Sequence, residues 1–136
     1  MRGLSLILAG SMLAACSAVP DAAPQRTADQ QAKFVRLTNG LMAGASVSCV
    51  PSWRTQDMTI IDGRTVGFSQ TASQVTLVNL TDGCSLLNSG AYAMQTNTSG
   101  MGLCTGDIVQ VIDPMNRGMS VGSCAVASII PYAPPR

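Results

Sequence analysis

The spacing of apolar positions changes twice along this chain. From Leu4 to Leu13 they are nearly continuous. Around Phe34, Leu37 and Leu41 they recur at helical intervals, and from Val47 onward they form short runs broken by turn residues. The middle segment predicts a short helix over Ala28 to Thr38. Thr27-Ala28-Asp29-Gln30 fits a capping box, and Asn39-Gly40 supplies a stop. An extended continuation of the preceding tether is the alternative for the same residues.

The later runs predict strands. Thr59-Ile60-Ile61 and Thr65-Val66-Gly67-Phe68 flank Asp62-Gly63-Arg64, a hairpin signal in which Gly63 is expected to supply a positive φ. Gln74 to Leu80 alternates, with Val75, Leu77 and Asn79 on one face and Thr76, Val78 and Leu80 on the other; Asp82-Gly83 ends it. Ala91 to Gln95 is a weaker strand, followed by a polar loop from Asn97 to Gly102. Asp107 to Ile112 reads as a buried strand through Ile108, Val109, Val111 and Ile112, closed by turns at Asp113-Pro114 and Asn116-Arg117-Gly118. A last strand is expected from Cys124 to Ile130, stopping at Pro131. The fold class implied is mainly β: a small antiparallel sheet or partly closed barrel with one short N-terminal helix.

The first segment is an address. Arg2, the apolar stretch to Leu13, and Leu13-Ala14-Ala15-Cys16 form a secretory signal of the kind cut before a lipid-modified cysteine. Its apolar part is too short for a permanent membrane span. Residues 1–15 are thus expected to be the signal, Cys16 the acylated first residue, 16–26 a flexible Ala/Pro-rich tether, 27–40 the short helix and 41–136 the β domain. Ser17, and not Asp, follows Cys16, which by resemblance to sorted lipoproteins implies the outer membrane, with the domain facing the periplasm. An ordinary secreted protein with a stray thiol at Cys16 is the alternative.

Composition narrows the chemistry. Without Arg2 the eight basic side chains fall to seven, matching the seven acidic ones, all of them Asp. A neutral domain in this compartment excludes nucleic acid as a partner. One Trp, two Tyr and two Phe make a thin core that calls for staples. With Cys16 spent on lipid, Cys49, Cys84, Cys104 and Cys124 remain for two disulfides. Three pairings are open; the nested one, Cys84–Cys104 with Cys49–Cys124, is the expectation adopted. Without His or a C-x-x-C pair, metal and redox roles for these cysteines are disfavoured. Their equal spacing has unmatched flanks and is no repeat.

Cys49-Val50, Thr59 to Val66, Val78-Asn79-Leu80, Gly83-Cys84 with Leu86 or Leu87, Leu103-Cys104-Thr105-Gly106-Asp107 and Gly122-Ser123-Cys124 before Pro131 together resemble an uncharacterised family of short proteobacterial lipoproteins, catalogued only as a domain of unknown function. The likeness covers roughly residues 41–133. Its most specific piece is the Leu-Cys-x-Gly-Asp element. Members carry more Arg in the first two strands, whereas Arg54 and Arg64 remain here. The resemblance implies an address and a disulfide pattern, and no activity.

Catalytic candidates are sparse. Asp107 beside a disulfide invites an acid–base or cation role, but Asp before a strand more often closes a turn on backbone N–H groups. Asp57, Asp62 and Asp107 are carboxylates of the kind a glycosidase pairs, with nothing to set their separation. Serine has no His to activate it, and the mature chain's only Lys is Lys33, in the helix. Met101, Met115 and Met119 offer thioethers for Cu(I), or plain gap filling. Trp53 is read as a small core anchor, with an exposed ring for a glycan or protein as the alternative. The function expected is non-catalytic: a lipid-anchored envelope module needing no cofactor, binding a protein or glycan partner or structural. Trp53, Arg54, Arg64 and Asp107 form its candidate surface. Copper handling and lysozyme-inhibitor-like activity are the alternatives, the latter by analogy of size and address alone.

Overall fold

A computed structural model describes residues 25–98, 100 and 102–136. The expected signal, Cys16 and residues 16–24 of the expected tether lie outside these residues. The elements are α1 (Ala28–Thr38), β1 (Met42–Ala43), β2 (Cys49–Val50), β3 (Asp57–Asp62), β4 (Thr65–Thr71), β5 (Gln74–Leu80), β6 (Ala93–Thr96), β7 (Leu103–Cys104), β8 (Ile108–Asp113) and β9 (Met119–Ala133). Short 3₁₀ turns occupy Ser52–Arg54, Ser85–Ser89 and Pro114–Asn116.

The domain is mainly β, a curled antiparallel half-barrel with one helix and two disulfides. The main sheet runs β3-β4-β5-β9-β8-β6, with β1 also on β9; β2 and β7 form a separate two-stranded ladder. The long strand β9 joins the two halves. Its residues 126–132 pair with β5 and its residues 119–125 with β8. A register shift between Asn79 and Leu80 keeps Val126 and Ile129 on the same interior face.

Alternation sorts β5 as expected, and both of its faces are buried. Val78 and Leu80 join the interior cluster with Val66, Phe68, Val109, Val111, Met94 and Leu103. Val75 and Leu77 face outward into a second cluster with Ile61, Phe34, Leu37, Leu41 and Tyr132. The helix supplies Phe34 and Leu37 to that outer layer. A Cβ on Gly67 would lie 3.0 Å from Leu37 Cδ1, so this glycine lets α1 settle close on the sheet. The helix begins as the sequence indicated: Thr27 Oγ1 accepts from Gln30 N at 3.3 Å, and Gln30 Oε1 accepts from Thr27 N at 2.9 Å. Arg26 is held by the fold. Its Nε donates to Asp62 Oδ2 at 2.8 Å, and its guanidinium lies 4.4 Å from the Phe34 ring centre.

Several expectations need correction. The disulfides are Cys49–Cys104 and Cys84–Cys124, so the two loops interleave and do not nest. The cause is topological. The Leu103–Cys104 strand returns to the start of the domain, setting Cys104 directly opposite Cys49, while Cys84 follows β5 and therefore reaches its neighbour β9. Gly63 is absent from the positive-φ residues; it is small because a Cβ would lie 2.8 Å from Asn88 Nδ2. In β8 only Val109 and Val111 are buried, and Ile108 is 57% exposed, so the strand is half-buried. The last strand starts at Met119 and passes through Pro131. The Pro131 carbonyl accepts from Gly44 N. A residue's N and O share one side of a strand, so the missing donor faces that loop and not the β5 ladder.

Candidate functional site

The candidate surface is built where β2 leaves the core. Val50 is 2% exposed and anchors the segment. Pro51, at φ −59°, turns it into the 3₁₀ turn, with Arg54 N bonded to Pro51 O and Thr55 Oγ1 donating to Ser52 O at 2.7 Å. This short turn has no room to bury its second residue, and Trp53 stands 64% exposed. The core-anchor reading of Trp53 is therefore overturned. The Arg54 guanidinium carbon lies 4.4 Å from the indole centre, a stacked cation–π pair that forms a shelf. Arg54 Nε is buried and has no hydrogen-bond partner among the described residues.

Beside the shelf is a cleft of about 120 Å³ lined by Trp53, Arg54, Gln56, Asp57, Ser69 and Gln70. Asp57, Ser69 and Gln70 also line a larger depression of about 460 Å³ that reaches Arg36 and Leu37 on α1. The two form one run across the open end of the β3–β4 hairpin, where Asp57 pairs with Ser69. Gln70 Nε2 donates to Thr76 Oγ1 at 3.1 Å and to Phe68 O at 3.4 Å, which fixes the amide plane. No ion pair to Asp57 occurs among the described residues. The run thus offers an indole, planar amide and carboxylate groups, hydroxyls, and guanidinium groups at Arg36 and Arg54.

The four residues of the expected surface are not brought together. Trp53 and Arg54 share the shelf. Arg64 sits at the opposite end of the β3–β4 hairpin, ion-paired with Asp82, and lines a separate polar cleft of about 470 Å³ with Asp62 and Asn88. Asp107 lies in the turn before β8 and lines neither cleft. Its Oδ2 accepts from Cys104 N at 2.7 Å, and its carbonyl accepts from Val126 N at 2.9 Å, the turn-closing pattern. The residues the sequence reading missed are Gln56, Ser69, Gln70 and Arg36. Counting back from the Asp62-Gly63-Arg64 turn would have set Ser69 opposite Asp57.

Other chemistry is dispersed. Asp57 and Asp62 end the same strand, about 17 Å apart at ~3.4 Å per residue, beyond the ~5–9.5 Å of a glycosidase pair. Asp62 is also committed to Arg26 and to Arg64 N. Among the described residues no group of three or more His, Cys, Asp or Glu can hold a metal ion. Met115 is 92% and Met119 57% exposed on the β8–β9 hairpin, with Met119 Sδ accepting from Asn116 Nδ2; Met101 lies outside the described residues. Among the described residues no helix is long and apolar enough to cross a membrane.

Compared with known proteins, the chain matches no family model, no curated protein and no solved structure.

Proposed function

We propose that this chain is a non-catalytic, lipid-anchored module of the cell envelope that binds a glycan through the Trp53–Arg54 shelf. One observation carries the glycan: an indole 64% exposed beside a cleft lined by Gln56, Asp57, Ser69 and Gln70. A sugar ring has an apolar C–H face and a rim of hydroxyls. An exposed aromatic plane suits the face, and amide and carboxylate groups suit the rim. The exposed run is open and mixes polar side chains with Leu37, Ala72 and Val75, which suits the two-sided surface of a sugar chain.

Anchoring rests on the Leu4–Leu13 run ahead of Leu13-Ala14-Ala15-Cys16 and on the likeness to small proteobacterial lipoproteins. Several acyl chains at ~0.8 kcal/mol per buried methylene hold a domain stably at a membrane. The outer membrane, periplasmic face, is the location this reading assigns. Mass spectrometry of the native protein's first peptide tests it, the expected result being an acylated Cys16.

The binding test uses the single Trp as its own reporter. Soluble fragments of envelope glycans titrated into the full chain should change Trp53 emission, and Trp53→Ala should weaken binding measured by calorimetry about tenfold or more, ~1.4 kcal/mol. Absence of binding at millimolar fragments, or affinity untouched by Trp53→Ala, removes the glycan reading. Inhibition of a muramidase that disappears in Trp53→Ala would replace it with a protein partner.

A further inference from the structure

The two disulfides occupy opposite environments. Cys84 is fully buried and Cys124 is 6% exposed, both inside the main core. Cys49 is exposed, at the end of a run from Met42 in which every residue is exposed, and Cys104 is half-buried. The Cys49–Cys104 bond crosses a ladder only two residues long, Cys49 opposite Cys104 and Val50 opposite Leu103, with a further bond from Thr105 N to Ser48 O at 2.8 Å. Two paired residues do not hold a ladder together in water without support. Four residues beyond Cys49 stands Trp53.

We propose that Cys49–Cys104 is a thiol-exchange site, addressed by a dithiol reductant, whose opening loosens the Trp53–Arg54 shelf while Cys84–Cys124 stays closed. Exchange needs a thiolate in line with a sulfur, so access selects the bond attacked. The reductant's first thiolate attacks Cys49 Sγ, forming a mixed disulfide and expelling the Cys104 thiolate, which takes a proton. The reductant's second thiolate then attacks its own sulfur in that mixed bond, expelling the Cys49 thiolate, which is protonated in turn. The products are two cysteine thiols and the reductant as a disulfide: two electrons and two protons have moved to the protein. Val50 and Leu103 are buried in the core, so the change is confined to the exposed residues around Cys49, Trp53 and Thr105. This inference does not depend on the shelf's ligand being a glycan.

The test treats the full chain with dithiothreitol as the dithiol, quenches at intervals, alkylates, and maps the labelled peptides while Trp53 emission is followed. Cys49 and Cys104 should label at least about tenfold faster than Cys84 and Cys124, since the buried pair reacts only after the core opens. Trp53 emission should change at the faster rate. The variant Cys49→Ser/Cys104→Ser should show that changed emission without reductant, and the wild-type kinetics alone decide the matter if it does not fold. Equal labelling of both pairs, earlier labelling of Cys84–Cys124, or an emission unmoved when Cys49–Cys104 opens would each overturn the proposal.

Discussion

Removing the disulfides one at a time sets loop length against burial. Cys84–Cys124 closes 40 residues and Cys49–Cys104 closes 55. In the chain-entropy account these loops are worth about 3.9 and about 4.2 kcal/mol at 25 °C, so length alone makes Cys49–Cys104 marginally the greater loss. Burial reverses the order. The sulfurs of Cys84 and Cys124 sit inside the core with Leu87, Leu103 and Val126, and truncating both to Ala leaves a void costing roughly a further 1–2 kcal/mol. No comparable void opens at Cys49, which faces solvent. The variant Cys84→Ala/Cys124→Ala should therefore lose about 5–6 kcal/mol, and Cys49→Ala/Cys104→Ala about 4. For a domain with ~5–15 kcal/mol in total, the first variant stands at the edge of folding. Guanidinium unfolding at 25 °C followed by circular dichroism measures both. If Cys49→Ala/Cys104→Ala is the less stable of the two, burial in the core does not set the order.

Four further substitutions probe the fold at single points. Gly102 has φ +114°, and a Cβ there would strike the Val50 carbonyl oxygen and lie 2.8 Å from Pro51 Cα, so Gly102→Ala should cost about 2–4 kcal/mol by thermal melting. Thr27→Ala removes the acceptor for Gln30 N and should cost about 1 kcal/mol, seen as a lowered denaturation midpoint with an unchanged slope. Phe68, 1% exposed, and Trp53, 64% exposed, separate core from surface: Phe68→Ala should cost about 3–5 kcal/mol and Trp53→Ala less than about 0.5, in parallel urea titrations.

What could be read from the chain was whatever neighbours along it decide. The helix from Ala28 to Thr38 was legible because its cap, its apolar spacing and its stop all lie within fourteen positions, Thr27 to Gly40. The β3–β4 hairpin and β5 were legible for the same reason, since turn chemistry and a two-residue period are local signals. The half-barrel class followed from the number and spacing of such runs. The candidate site was legible only in Trp53 and Arg54, which adjoin in sequence. Its other walls come from β3, β4 and α1, and only pairing Asp57 with Ser69 brings those walls beside the indole.

Local sequence determined the helix, the hairpin and the cysteine count; tertiary structure alone decided which cysteines meet, which faces of the strands are covered, and where Trp53 points. Disulfide partners depend on which strand lies beside which, a long-range outcome of burying two apolar layers on one curled sheet. That is why Cys104, 20 residues from Cys84 along the chain, bonds across 55 to Cys49. The same physics left Trp53 outside: Val50 already fills the core at that position, and the two-residue ladder next to it gives the indole nothing to pack beneath.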